Sequence, residues 1–178
     1  MTLSLTLVFL CVNAPSRVRG LRTTCAARLR LACFAHAPRL SLRYLSATRA
    51  ELGLAGEELA ARSLLRTGWR LRGRRVKTQF GEVDLWATLG RVSLVVEVKT
   101  GRLRYLPQVT ASSTRWDLRW RPGESLSTRQ RGRLIQAAQH LAKSNGDRAQ
   151  LSIIEVFVSR DGSQVEVLAP RALASFER

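Results

Sequence analysis

Several residue types are scarce in this sequence, and each scarcity excludes a class of protein. Cysteine occurs three times, always within residues 1–50, so residues 51–178 can form neither a disulfide framework nor a thiolate zinc site. The apolar run from Thr2 to Val12 is about half of the ~20 residues that cross a bilayer. No positive charge precedes that run, as a secretory signal would require, because the first arginine is Arg17. We therefore expect a cytoplasmic protein without a membrane partner.

Lysine and acidic residues are also few, whereas arginine is abundant. Lysine and arginine together number 30 against 13 aspartates and glutamates, which gives a net charge of +17. Residues 1–50 hold eight arginines and no acid, and subtracting those eight charges leaves +9 for residues 51–178. Arginine binds phosphate oxygens in pairs, so this excess favours nucleic acid or an anionic membrane as partner. A codon bias towards arginine is the alternative.

The length of 178 residues suits one domain with an appendage. We predict that residues 1–50 are a basic, disordered N-terminal extension. A start codon assigned too early or an organellar transit peptide would be alternative origins for it. Residues 51–178 are the predicted domain.

The hydrophobic periodicity within residues 51–178 predicts alternating helices and strands. Apolar residues recur at helical spacing in two segments, and β-branched runs bounded by glycine indicate strands. The predicted elements are a helix over 51–67, strands over 69–74, 83–89 and 92–99, a polar loop over 104–124, a helix over 125–143 and strands over 151–158 and 164–168. This order predicts an α/β domain with a mixed central β-sheet flanked by helices.

Two of the predicted strands carry a carboxylate in the middle, within GEVDLWATLGRVSLVVEVKTG. A two-residue hairpin at Gly90 and Arg91 would place Asp84 directly opposite Glu97. The strand period of two places Lys99 on the same face as Glu97. A three-residue turn would change this register.

Opposed carboxylates repel, and a divalent cation would offset that repulsion. Mg²⁺ or Mn²⁺ takes hard oxygen ligands, so Asp84 and Glu97 are the predicted metal ligands and Lys99 would orient or deprotonate a bound water. The alternative is a solvent-exposed face of a half-buried sheet.

Two further acids lie on the first predicted helix. Glu58 precedes Arg62 by four residues, the spacing of an exposed ion pair. Glu57 borders the buried stripe of the helix, where it would either complete the cation's ligand shell or hold Lys99. An acid at the helix edge in contact with water is the alternative.

Four segments in order resemble the YraN family of uncharacterised bacterial proteins: GLAGEELAARSLLRTGWRL, RRVKTQFGEVDLWA, VVEVKTGR and LSTRQRGRLIQAAQHLA. The resemblance runs from about residue 53 to residue 178. It implies a restriction-endonuclease-like fold of the PD-(D/E)XK nuclease superfamily, close to Holliday-junction resolvases. It also implies a magnesium-dependent endodeoxyribonuclease in which Asp84, Glu97 and Lys99 form the D and E-x-K motifs and Glu57 is the helix acid. A non-catalytic nucleic-acid-binding module or an adaptor that keeps the fold remains the alternative.

The sequence departs from the family at two positions. A lysine that usually begins the second long helix is replaced by Gln130, and an aspartate of the following strand matches Ile154. Glu82 precedes Asp84 by two residues, and we expect it on the opposite strand face and less central to the site. The oligomeric state stays open, with a homodimer as one alternative.

The expected DNA contacts are basic and aromatic side chains near the site. Arg102 follows the E-x-K segment, and Arg129 and Arg131 begin the second helix. The stretch STRWDLRWR interleaves tryptophan with arginine, a pattern suited to stacking on unpaired bases while guanidinium groups meet phosphates. Its candidate contacts are Arg115, Trp116, Arg119 and Trp120. Packing of those tryptophans on the core is the alternative.

Overall fold

A computed structural model describes residues 22–103 and 122–176, which form helices on both sides of one sheet. The helices are α1 (Arg22–His36), α2 (Pro38–Tyr44), α3 (Arg49–Arg66) and α4 (Thr128–Asn145), with a 3₁₀ turn at Pro122–Ser125. The strands are β1 (Arg70–Thr78), β2 (Gly81–Leu89), β3 (Val92–Leu103), β4 (Arg148–Ser159), β5 (Val165–Val167) and β6 (Arg171–Phe176). None of the helices within the described ranges is long and apolar enough to cross a membrane.

The sheet is mixed, which confirms the predicted fold class. Its order is β1-β2-β3-β4-β5, and β6 pairs with β4 beside β5. Strands β1, β2 and β3 form antiparallel pairs, because short turns connect them, whereas α4 carries the chain over to β4, which lies parallel to β3. Strands β5 and β6 return antiparallel to β4.

Each face of the sheet is covered by one long helix. The α3-side core contains Leu94 and Val96 of β3 together with the apolar residues of α3. The α4-side core contains Val95 of the same strand together with Leu134 and Leu141 of α4. Neighbouring residues of β3 enter different cores because successive side chains of a strand point to opposite faces.

Residues 22–50 do not form the predicted disordered extension. Phe34 of α1 and Leu42 of α2 are buried in the α3-side core, with Cys33 and Leu45 beside them. The abundance of arginine in this segment conceals these apolar side chains, which recur on the inner faces of two helices.

The predicted domain boundary at residue 51 lies inside α3. Thr48 caps this helix: its hydroxyl accepts a hydrogen bond from the Glu51 amide, and the Glu51 carboxylate accepts one from the Thr48 amide. Arg30 of α1 forms an ion pair with the same carboxylate. The chain that folds as one body therefore includes α1 and α2, and a cut at residue 51 would remove the cap of α3.

The predicted helices and strands are present with shifted bounds, and one strand was not predicted. Strand β1 continues to Thr78 and β3 to Leu103, each four residues beyond the expected end. Ser127 is the N-cap of α4, and its side chain accepts a hydrogen bond from the Gln130 amide. Strand β6 follows Pro170, is short, and has three exposed and three half-buried residues, so its sequence has no strong strand pattern.

Candidate active site

The hairpin between β2 and β3 has the predicted turn. Gly90 has a positive φ of 56°, which glycine adopts without steric cost. Leu89 pairs with Val92, and the same register continues to Leu85 opposite Val96. The two-residue turn and the register are therefore confirmed as far as Leu85, but the predicted pair of Asp84 directly opposite Glu97 is not part of the ladder.

Strand β2 leaves β3 at Asp84, one residue beyond the last paired position. Val83 packs in the α4-side core and Leu85 in the α3-side core, although side chains two residues apart in a regular strand share a face. Arg75, which faces Asp84 from β1, has a φ of 47° and is likewise missing from the ladder. At this bend the Asp84 carboxylate replaces a ladder partner: Oδ2 accepts a hydrogen bond of 2.7 Å from the amide of Val98.

Glu97 lies on the α4 side of β3 and is held by two donors. It is 6% exposed, and its Oε1 is 2.8 Å from Nζ of Lys99. The same oxygen accepts a hydrogen bond of 2.8 Å from Nε2 of Gln130, in the first turn of α4. The predicted placement of Lys99 on the same face as Glu97 is thus confirmed, and Gln130 contacts Glu97 from the helix.

The electrostatics of Asp84 reflect the neighbouring Glu97. Burial and, to a smaller extent, the negative charge of Glu97 together raise the pKa of Asp84 to about 7. The hydrogen bond from Val98 acts in the opposite direction, and the positive charge of Lys99 offsets little of the shift. The Asp84 carboxyl group is therefore partly protonated near neutral pH unless a positive charge binds beside it.

One oxygen of each carboxylate makes no hydrogen bond within the described residues. These are Oδ1 of Asp84 and Oε2 of Glu97, since Oδ2 and Oε1 are engaged as above. In the part of the chain that the structure describes, no three or more His, Cys, Asp and Glu side chains are grouped to hold a metal ion. A cation here would take these two oxygens and complete its shell with water or substrate oxygens, as Mg²⁺ often does.

Glu57 lies near this cluster but does not hold Lys99. Its carboxylate is 3.6 Å from the guanidinium of Arg75, which is also 3.3 Å from Glu82. Burial raises the pKa of Glu57, and its negative charge contributes to the raised pKa of Asp84. Glu57 therefore acts on the cluster through its charge.

The close approach of α3 to β3 brings Glu57 to this position. A Cβ added to Gly56 would lie 1.8 Å from Oγ1 of Thr100, so only glycine fits there without movement. Thr100 follows Lys99 on β3. The glycine thus fixes how near the acid of α3 comes to the end of β3 that carries the cluster.

Glu58 has the structural role that its spacing predicted. It forms the ion pair with Arg62 at 2.7 Å, and it also binds Arg74 of β1. Glu82 is exposed and lines a cleft that also contains Glu97 and Gln130, with Arg133 and Phe80 at its walls. Glu82 is therefore nearer to Glu97 than its expected place suggests.

Two of the arginines predicted to bind nucleic acid are engaged with backbone carbonyls. Arg102 lies on the α3 side of β3, away from Glu97, and donates to the carbonyl of Arg160 at 2.8 Å. Arg131 donates to the carbonyl of Leu173 at 2.6 Å. Arg129 is exposed at the start of α4.

The other four candidate contacts with nucleic acid lie outside the described residues. They are Arg115, Trp116, Arg119 and Trp120, which fall within 104–121. Their predicted stacking and phosphate contacts stay predictions.

Sequence reasoning missed Glu155, a buried acid on the same side of the sheet as Lys99. It is 2% exposed, lies beside Lys99 in the parallel register of β3 and β4, and accepts a hydrogen bond of 3.0 Å from the amide of Gly123. The family's aspartate was matched to Ile154, which packs in the α3-side core. An acid inside the apolar run LSIIEVFV was the available signal for Glu155.

Comparison of the sequence with known proteins identifies the family of this chain. The model of the uncharacterised protein family UPF0102 matches residues 56–158, more than half of the chain. The chain belongs to UPF0102. This match confirms the family expected from the motifs, and the UPF0102 segment includes Glu57, Asp84, Glu97 and Lys99. Helices α1 and α2 precede it.

Several UPF0102 proteins are similar to this chain. The protein of Syntrophotalea carbinolica is 32% identical over 120 residues, which cover 67% of this chain and 87% of the relative. That of Symbiobacterium thermophilum is 34% identical over 114 residues, covering 62% and 86%. That of Granulibacter bethesdensis is 35% identical over 89 residues, and the match covers 50% of this chain and about half, 47%, of the relative.

Proposed function

We propose that this UPF0102 protein is a metal-dependent nuclease that hydrolyses phosphodiester bonds in DNA. The observation that supports it best is the meeting of Asp84, Glu97 and Lys99 at the bend of β2. Two carboxylates with one unused oxygen each, beside an ammonium group, are suited to hydrolysis of a phosphodiester.

The two unused oxygens would hold Mg²⁺ or Mn²⁺, the cations that fit a small set of hard oxygen ligands. When bound, the cation would lower the pKa of a water and neutralise charge on the phosphate. The raised pKa of Asp84 supports this fit, because a positive charge at this place would favour the ionised carboxylate.

Lys99 would orient the attacking water and contact the phosphate. An ammonium group has three N–H donors, and the contact with Oε1 of Glu97 occupies one of them. The other two can point towards a water and a phosphate oxygen. Gln130 holds the same Oε1 and keeps the Glu97 carboxylate in one orientation.

A non-catalytic nucleic-acid-binding module is the second candidate, and the positive charge of the chain favours it equally. An adaptor in which the acidic cluster is only structural would be the third. The net charge therefore supports a nucleic-acid partner without distinguishing an enzyme from a binding protein.

Cleavage assays with the purified full chain separate these candidates. The chain is incubated with Mg²⁺ or Mn²⁺ and linear duplex, single-stranded or four-way DNA. We expect cleavage that is lost in Asp84→Asn and Lys99→Met. Glu166→Gln, which removes the same charge as Asp84→Asn from a strand outside the cluster, should keep it.

Each other result favours a different candidate. Binding of DNA without cleavage under either metal contradicts the nuclease and favours the binding module. Absence of affinity for any of the DNAs favours the adaptor. Cleavage that persists in both Asp84→Asn and Lys99→Met would place the activity elsewhere.

A further inference from the structure

The outermost strand of the sheet, β1, carries a row of positive charges. Five of the eight residues from Arg70 to Lys77 are basic and none is acidic; the others in the row are Arg72, Arg74 and Arg75. All five are exposed. The row is therefore a surface of one charge sign along one edge of the sheet.

Only part of this row is neutralised by acids of the protein. Arg74 pairs with an acid of α3, and Arg75 with one acid of α3 and one of β2. The side chains of Arg70, Arg72 and Lys77 make no ion pair or hydrogen bond to any described residue. These three are the cations available to a partner.

The geometry of the edge spreads these cations beside the candidate site. From Arg70 to Lys77 the strand advances by roughly 23 Å at ~3.3 Å per residue. The register between β1 and β2 shifts between Leu71 and Gly73, so Arg72 is an extra residue with no partner on β2. Strand β2, which carries Asp84, is the neighbour of β1 in the sheet.

We propose that Arg70, Arg72 and Lys77 form a contact surface for the phosphate backbone of duplex DNA. This inference rests on the proposed function, because it assigns the surface that would hold the substrate of that site. Along roughly 23 Å of its axis, each strand of DNA presents about seven phosphates. Contacts with phosphates fix the position and direction of a duplex without reading its sequence.

Protection of an exposed strand edge is the competing explanation for charges on β1. Charged side chains and bulges both prevent a second sheet from pairing with an edge. The bulge at Arg72 already interrupts the edge. Side chains of either charge would prevent a second sheet from pairing with it, so protection does not explain why all the charges are positive. Five cations of one sign, three of them without an acidic partner among the described residues, instead match a polyanion.

The salt dependence of DNA binding tests the proposal. Affinity of the full chain for a labelled duplex of about 20 base pairs is measured by fluorescence anisotropy in EDTA, at salt concentrations between roughly 50 and 200 mM. The test variant is Arg70→Gln/Arg72→Gln/Lys77→Gln. The control, Arg91→Gln/Lys143→Gln/Arg160→Gln, removes three exposed charges from turns and a helix end.

We expect the slope of log affinity against log salt to be smaller by about 2.7 in the test variant, at ~0.9 per phosphate contact. Between 50 and 200 mM salt, the affinity of the unaltered chain should then fall about 40-fold more than that of the test variant. The control should keep the original slope. Arg70→Lys/Arg72→Lys, which keeps both charges, should keep it too.

Three results would contradict the proposal that this surface binds DNA. One is an equal fall in slope for the test and control variants, since net charge alone would then explain it. Another is an unchanged slope with aggregation of the test variant in light scattering, which would assign the charges to edge protection. A third is loss of binding to phosphatidylserine vesicles without loss of DNA binding, which would assign the surface to lipid.

The outcome for the surface is separable from that for the nuclease. A slope effect in a chain that cleaves no DNA supports the surface and contradicts the catalytic site. Cleavage that depends on Asp84, without any slope effect, supports the site and contradicts the surface.

Discussion

Replacement of Asp84 by asparagine is expected to stabilise the protein relative to the unaltered chain, and this gain in stability should be larger at pH 8 than at pH 5. Asparagine resembles the protonated carboxyl group in shape, and its oxygen can still accept the hydrogen bond from Val98. It cannot ionise beside Glu97. The substitution therefore removes the cost of a buried charge and keeps the local contact.

The size and sign of the effect follow from the pKa of Asp84. The folded-state value of about 7 lies above the ordinary value of 3.8, so ionisation favours the unfolded chain. The stabilising effect of the bound proton is complete below pH ~4 and is lost as the pH rises through 7. Linkage gives at most about 2.5 kcal/mol between pH 5 and pH 8, because partial contact with water screens the charge.

Thermal unfolding at the two pH values measures this effect. For a chain of this size, 1 kcal/mol corresponds to roughly 2–4 °C in Tm, so the difference in Tm between Asp84→Asn and the unaltered chain should grow by up to about 10 °C from pH 5 to pH 8. Glu166→Gln serves as the control, since Glu166 lies on β5 outside the cluster. An equal difference in Tm at both pH values would refute the assignment of a raised pKa to Asp84.

The same assay tests the metal ligands without reference to catalysis. A cation that binds the ionised carboxylates should raise the Tm of the unaltered chain at pH 8. Mn²⁺ should leave the Tm of Asp84→Asn nearly unchanged. An equal rise in both proteins would show that the cation binds elsewhere.

Three further predictions concern the elements around the cluster. Gly56→Ala should destabilise the fold by roughly 1–3 kcal/mol in denaturant unfolding, because the new Cβ would lie 1.8 Å from a side-chain oxygen of β3. Gly53→Ala in the same helix has nothing within 4 Å and should stabilise by up to about 1 kcal/mol; equal effects would contradict the packing. Gln130→Lys should weaken Mn²⁺ binding in calorimetry, since it brings a positive charge to Glu97, whereas Gln130→Met should affect binding less. Equal losses in both variants would contradict the charge effect. Thr48→Ala should cost about 1 kcal/mol of stability in denaturant unfolding through loss of the α3 cap, and Thr48→Ser should cost little.

Local rules were sufficient for much of the fold and for the centre of the candidate site. The period of two on β3 predicted that Val95 and Glu97 lie on one face of the strand and Val96 on the other. Val95 and Val96 are indeed buried in different cores. The glycine of the turn gave the register of the hairpin from Leu89 opposite Val92 to Leu85 opposite Val96. Both inferences use contacts between residues near each other in sequence, where spacing and turn type determine geometry.

The remaining features depend on contacts between distant segments. At the bend at Asp84, the inward-facing side chains of β2 change from the α3-side core at Leu85 to the α4-side core at Val83. No local sequence pattern predicts this change. Gln130 reaches Glu97 only after α4 has packed on the sheet. The helices of residues 22–50 escaped prediction because abundant arginine obscures their apolar pattern, and their buried face is defined only by packing against α3.

The acidic cluster is costly in a way that favours a ligand over a structural role. Burial and the charge of Glu97 raise the cost of ionising Asp84, and apolar side chains of similar size would stabilise the same bend without that cost. A bound cation would reverse this cost, since its affinity for the ionised pair adds to the stability of the folded chain. A purely structural cluster would give two different results. The Tm of the unaltered chain would not respond to Mn²⁺ at pH 8, and Asp84→Asn would have a lower Tm than the unaltered chain.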